Sequence, residues 1–246
     1  MKKRNDSKIT MAALMMMVAM AMTSCASSKK INGDSNVSKD SEMGKNEEDL
    51  DNSYLVLSDT QQDIVKKNNA FALRLFNKVT DMESKVISPM SVSYLMGMLA
   101  NGADGITQQE ILKAIGCEGV SVNDLNELYK AMLLNANHQD KQTTVNIANY
   151  IAVNKNFKLN KNFSQQVSDS YQAGIESLDF TSSKSTDRIN GWCKEKTNGM
   201  IPRIIDQVSA DAVSYLMNAI YFKGTWQNKF NAKDTKLENF RGYTRD

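Results

Sequence analysis

Between residues 213 and 222 apolar side chains stand at almost every position, so a strand drawn through them is apolar on both faces. One face carries Val213, Tyr215, Met217, Ala219 and Tyr221, and the other carries Ser214, Leu216, Asn218, Ile220 and Phe222. A strand of this kind lies between two layers, so the pattern predicts a central strand covered above and below. Asn218 breaks the pattern. Leaving a buried carboxamide unpaired costs about 1–3 kcal/mol, so Asn218 requires partners from elsewhere in the fold.

Upstream the period becomes helical. Ile64, Asn68, Phe71, Leu75 and Val79 recur at helical spacing from Thr60 onward. Ser88-Pro89 opens a second helix, with Ser88 suited to the N-cap and Pro89 to the first turn, and Asn101-Gly102 supplies the stop. Met90, Val92, Leu95, Met96, Met98 and Leu99 go most of the way round it, the mark of a helix buried inside a large domain. Thr107-x-x-Glu110 reads as a capping box for a short helix ending at Gly116, and Leu125, Leu128, Met132 and Leu133 mark the next helix. Residues 143–153 are strand-like, Phe163, Val167 and Tyr171 mark a helix, and 175–180 fits a short strand. Ile189, Trp192, Cys193 and Lys196 form a last amphipathic helix, closed by Thr197-Asn198-Gly199. With two prolines and no internal repeat, residues 54–246 are predicted to form one helix-rich α+β domain.

The first 24 residues stand apart. Lys2, Lys3 and Arg4 precede an apolar run over 11–22 and small residues up to Cys25, which reads as an export signal. Met22-Thr23-Ser24-Cys25 resembles the lipobox of bacterial lipoproteins, in which the Cys is acylated and becomes the new N-terminus. An ordinary cleaved signal that contains a Cys is the alternative. Three acyl chains on Cys25 would exceed the two anchors that stable membrane attachment needs. Residues 25–53 hold almost nothing to bury and read as a disordered tether with a reach on the order of 30 Å.

Removing residues 1–24 changes the charge balance. The whole chain has 30 Lys/Arg against 28 Asp/Glu; without four Lys/Arg and one Asp it has 26 against 27. A net charge of −1 offers no excess basicity for nucleic acid or anionic lipid, so no nucleic-acid partner is expected and membrane contact is through the lipid alone. Cys117 and Cys193 lie in apolar helical patterns and are expected as free buried thiols. The single histidine, His138, sits in a polar stretch and reads as a solvated loop residue. There is no HExxH, CxxC, GxSxG or phosphate-binding glycine loop, so no catalytic residue, metal site or cofactor is expected and an enzymatic role is the least supported. The sequons at Asn36 and Asn162 carry little weight beside a bacterial-type signal.

From about Asn68 to the last residue, a set of short pieces follows in order: Asn68-x-x-Phe71-Ala72; Val86-Ile87-Ser88-Pro89-Met90-Ser91-Val92; Gly97-Met98-Leu99 with Asn101-Gly102-Ala103 and Thr107; Ile147-Ala148-Asn149. Then come Ile189-Asn190-x-Trp192, Thr197-Asn198-Gly199-Met200-Ile201, Asn218-Ala219-Ile220-Tyr221-Phe222-Lys223-Gly224-x-Trp226, and Phe230. In this order and spacing the chain resembles the serpin family. The resemblance implies a helix bundle packed on a large central β-sheet. It places Asn218 in a polar cluster with Ser88 and Ser91, called the shutter, beneath the third strand of that sheet. Capping explains Ser88 equally well; Ser91 is less well explained by it. Trp226 matches the tryptophan of the breach, where the reactive loop enters the sheet; read without the family it is an ordinary core aromatic.

The implied activity is inhibition of a serine or cysteine protease by insertion of a cleaved loop into the sheet. The sequence ends at Arg245-Asp246, before the hinge, the reactive loop with its scissile bond, the strand beyond the insertion gap and the histidine that normally completes the shutter. The expectation is therefore the front part of a full serpin, expected as a monomer. A non-inhibitory serpin-fold binding or scaffold lipoprotein, or an inactive short product, is the alternative. Some serpins bind heparin-like polyanions along the helix matching residues 122–136, but here Lys130 stands against Asp124 and Glu127, so no such site is expected.

Overall fold

The structure, a computed structural model, describes residues 55–81, 85–136, 143–226 and 228–239. In chain order its main elements are α1 Asp59–Val79, α2 Pro89–Asn101, α3 Gly105–Ala114, α4 Val122–Ala136, β1 Thr144–Asn154, α5 Lys161–Tyr171, β2 Gly174–Leu178, α6 Ser183–Lys196 and β3 Ser214–Lys223. His138, Cys25 and the 1–53 segments lie outside the described residues. No helix among the described residues is long and apolar enough to cross a membrane.

Local chemistry sets the helix ends. Ser58 and Gln61 form a reciprocal capping box for α1, and Ser88 caps α2 with Pro89 in its first turn. The third helix differs from expectation. It starts at Gly105, so Thr107 lies inside it and is not the cap. Asp104 supplies the cap by accepting from the Gly105 N–H, and the Gln108 side chain ties the first turn back to the carbonyls of Ala100 and Ala103. Gly116 (φ 79°) then takes the left-handed turn that ends the helix, as expected of a glycine there.

The strands form a sheet of order β2-β1-β3. β1 pairs parallel with β2, with Tyr150 opposite Gly174, and antiparallel with β3, with Asn149 opposite Asn218. Among the described strands β1 lies in the middle and β3 pairs with β1 along one side. β1 is buried along most of its length, whereas Val213, just before β3, and Phe222, near its end, are exposed. The two covering layers are present, with α2 against one face of β3 and α6 against the other.

Alternation along β1 divides the interior into two cores. Ile151 and Val153 enter the larger one, with Tyr94, Met98, Leu128, Tyr129, Val167 and Tyr171 from the helices. Tyr150 and Ala152 face the other way and pack with Met217, Ala219, Ile189, Trp192 and Cys193. Each fully buried large side chain contributes about 1.5–3 kcal/mol of transfer free energy, which holds both layers to the sheet. In the larger core, Tyr94, Tyr129 and Tyr171 meet at ring separations of 4.8, 5.8 and 6.2 Å. Burial holds all three hydroxyls far above the usual tyrosine range, so they stay neutral. Tyr171 Oη donates to Asn126 Oδ1 at 2.8 Å, and Asn126 Nδ2 donates to Asn101 Oδ1 at 2.8 Å.

A polar clamp fixes α6 to the sheet edge. Tyr150 Oη donates to Glu176 Oε2 at 2.6 Å, and Arg188 Nε donates to Glu176 Oε1 at 3.1 Å. The Arg188 guanidinium also lies 5.7 Å from the centre of the Tyr150 ring, which stacks on Trp192 at 5.1 Å. The Tyr150 hydrogen bond, followed by Arg188, holds the Glu176 carboxyl below its ordinary value, while burial and Glu176 push the Tyr150 hydroxyl up.

Two outcomes follow from these contacts. A Cβ at Gly97 would sit 2.4 Å from Tyr171 Oη and 3.0 Å from Tyr129 Cε2, and Tyr171 cannot withdraw without giving up Asn126. Gly97→Ala is therefore expected to destabilise the domain by ~1–3 kcal/mol, read as a fall in the denaturant midpoint; an unchanged midpoint would contradict this packing. The Glu176 contribution is fully present above the ordinary carboxyl value of 4.5 and is lost as pH falls through the lower folded value. Amide exchange in α6 should accelerate over that acid range in the wild type, and Glu176→Gln should show the faster exchange already at neutral pH.

Candidate functional site

The site forms where the start of α2 meets β3. Ser88, buried at the N-cap (φ −121°, ψ 89°), accepts from the Ser91 N–H at 3.2 Å, and its Oγ lies 2.8 Å from Ser91 Oγ. One of the two hydroxyls donates to the other. Capping therefore accounts for Ser88, while Ser91 uses the same helical turn to bring a second hydroxyl towards the sheet.

Asn218 comes from the facing strand. Its Nδ2 donates to Asn149 Oδ1 at 2.9 Å, and Asn149 Nδ2 donates to the Tyr171 carbonyl at 2.8 Å. The Asn218 Oδ1 is buried and accepts no hydrogen bond among the described residues. Ser91 and Asn218 line one cavity of about 20 Å³ with Cys193, Ile201, Ile204, Ala219 and Ile220. The structure thus brings Asn218 and Ser91 to a common space, and no direct hydrogen bond joins Asn218 to Ser88 or Ser91. The physical reason is register: antiparallel pairing sets Asn149 directly opposite Asn218, so the nearest acceptor is across the strand and not on α2. Asn149 has a part in the site that the sequence pattern does not assign, although a carboxamide on the same strand face as Ile147, Ile151 and Val153 is the kind of signal that singles out Asn218.

The remaining candidates fall elsewhere. Trp226 is 71% exposed and meets Phe230 edge-on at 6.0 Å, so it is not packed into the core of the described residues. It follows the last paired residues of β3, where no second layer of the described chain reaches it. Cys25 is outside the described residues, and Cys117 and Cys193 are free and buried as expected. Burial raises both thiols, Cys117 to about 11, and Asn68 Oδ1 accepts from Cys117 Sγ at 3.6 Å. A larger open cleft of about 710 Å³ lies between α6 and residues 202–208, but Lys194 and Arg203 are balanced there by Asp187 and Asp206 and no catalytic constellation forms.

The thiols give a direct gauge of this region. Alkylation of Cys117 and Cys193 under native conditions at neutral pH is expected to be at least 100-fold slower than in denaturant, checked by intact mass over time. Rapid native labelling of Cys193 would show that the cavity beside Asn218 stands open.

Comparison with known proteins agrees with this arrangement. A family model described as "Serpin (serine protease inhibitor)" matches residues 66–245. Serine protease inhibitor 42Dd of Drosophila melanogaster is 31% identical over 171 residues, which is 68% of this chain and 46% of that protein. The thermophilic serpin tengpin, solved in its latent state, aligns with a TM-score of 0.65 at 33% identity, covering 72% of this chain and 48% of that one. Human thyroxine-binding globulin, solved with its thyroid-hormone ligand, aligns with a TM-score of 0.67 at 25% identity, covering 72% and 49%. The chain spans about half the length of the curated relatives it matches. With helices and sheet in the same arrangement and the family motifs carried over most of its length, the chain belongs to the serpin family.

Proposed function

We propose that the complete protein is a serpin-type inhibitor of a serine or cysteine protease, exported and held at the cell envelope by a lipid on Cys25. Members of this family are typically protease inhibitors and not catalysts. The observation that carries the reading is the family match over residues 66–245, together with the gathering of Ser91 and Asn218 at one space between α2 and β3. In an inhibitor of this type a cleaved loop inserts as a new strand into the sheet, releases stored conformational energy and drags the acylated protease with it. Ser88, Ser91 and Asn218 act as a latch beneath the strand, because neutral hydrogen bonds can be exchanged during opening without leaving a buried charge. Trp226, exposed past the end of β3, marks the place of loop entry.

A second reading is favoured by the similarity to human thyroxine-binding globulin, which was solved with a bound ligand. In that case the complete protein binds a ligand or partner at the envelope and does not trap a protease. One experiment separates the two. The complete protein, incubated with a panel of serine and cysteine proteases, is expected to give an SDS-stable covalent complex with at least one, in the membrane fraction for the wild type and the soluble fraction for Cys25→Ser. Absence of a complex across the panel, with no gain in thermal stability after loop cleavage, would replace inhibition by the binding role.

A further inference from the structure

Asn149 belongs to one of the pieces that carry the family resemblance, yet packing gives it no role: it is a carboxamide, 3% exposed, in the middle of an apolar strand. We infer that the Tyr171 carbonyl, acting through Asn149, fixes which end of the Asn218 carboxamide faces the cavity beside Ser91, so that this wall is an acceptor and takes an N–H or O–H donor. The inference rests on the latch reading only for what the acceptor is used for; the orientation stands on the hydrogen bonds alone.

The polarity runs in one direction. A backbone carbonyl can only accept, so the Asn149 NH2 must face Tyr171 O, as its 2.8 Å bond records. The other end of Asn149 is then an oxygen, and it is turned towards β3. That oxygen can only accept, so Asn218 must offer its NH2, at 2.9 Å. The Asn218 oxygen is left on the side away from Asn149, buried and without a hydrogen bond, where the residue lines the cavity with Ser91 and Cys193. Flipping Asn218 alone would set two carboxamide oxygens against each other. Flipping both amides would set the Asn149 oxygen against the Tyr171 carbonyl. Either change removes a buried hydrogen bond and adds a repulsion.

The origin of the chain is itself fixed. Tyr171 is the last residue of α5, so its carbonyl has no helical N–H of its own to accept from. Gln172 turns left-handed there (φ 50°) and sends its N–H back to Val167, which leaves the Tyr171 carbonyl for a side-chain partner. The Tyr171 ring is anchored at its far end by Asn126. A helix end on one side of the sheet thus sets the hydrogen-bonding character of a space on the other side of β3. At about 20 Å³ the cavity admits a single small group, so a hydroxyl, an imidazole N–H or one water fits, and a carbonyl or carboxylate is refused. Asn149 is a positioning residue that acts through Asn218.

Nuclear Overhauser contacts of the Asn218 side-chain NH2 in the complete 15N-labelled protein test this, with the signal assigned by its disappearance in Asn218→Leu. The expected contacts are to the Asn149 β-protons, with none to the β-protons of Ser91 or Cys193. In Asn149→Leu, which removes the acceptor, contacts to Ser91 and Cys193 should appear. In Asn149→Asp, which keeps it, the wild-type pattern should persist. Contacts from the wild-type NH2 to Ser91 and Cys193 would overturn the inference, and that measurement decides the matter even if Asn149→Leu does not fold. An Asn218 orientation as stated, together with an unchanged rate of loop insertion in Asn218→Ala, would remove the latch and leave this inference standing.

Discussion

A polar group buried in an apolar sheet must find a hydrogen bond, and in this protein that requirement is met by chaining one such group to the next. Asn218 satisfies half of its carboxamide on Asn149, Asn149 satisfies its other half on Tyr171, and Tyr171 reaches through its hydroxyl to Asn126 and Asn101. The series crosses from β3 through β1 and α5 to α4 and α2. It therefore ties the edge strand to the same helix that carries Ser88 and Ser91, by a route separate from direct packing. Because each member is neutral, the series imposes directionality on the core without the desolvation cost of buried charge.

The two faces of the sheet are held in different ways. On the α2 side the contact is broad and apolar, with three tyrosines wedged around Gly97. On the α6 side the apolar core is smaller, and a partly exposed clamp of Tyr150, Glu176 and Arg188 supplements it. Close packing around Gly97 has no slack, whereas the clamp is open to solvent and to pH. The α6 face is consequently the softer of the two layers, and β3 lies between them with one edge free of any described strand.

Most of the fold was legible in the sequence because its elements announce themselves locally. The caps at Ser88 and Gly102, the helical period of α1 and the doubly apolar run of β3 each follow from a few neighbouring residues. What could not be read was register. Asn149 and Asn218 lie 69 positions apart, and nothing in either neighbourhood states that they stand opposite one another. For β3, burial on both faces was legible and is met by α2 and α6, whereas the number of neighbouring strands was not. At α3 two caps competed, and Asp104 prevailed over Thr107 because Gln108 braces the earlier start. Trp226 could not be placed from hydrophobicity alone, because it follows the end of a strand.

The distance along the chain between α2 and β3 also governs how the protein comes into being. At about 5–20 residues per second, β3 leaves the ribosome on the order of ten seconds after the helix it will cover. During that time α2, apolar nearly all round, and the long apolar run of β1 have only part of their final partners. Until β1 closes against β3, the nascent protein depends on whatever shields those segments.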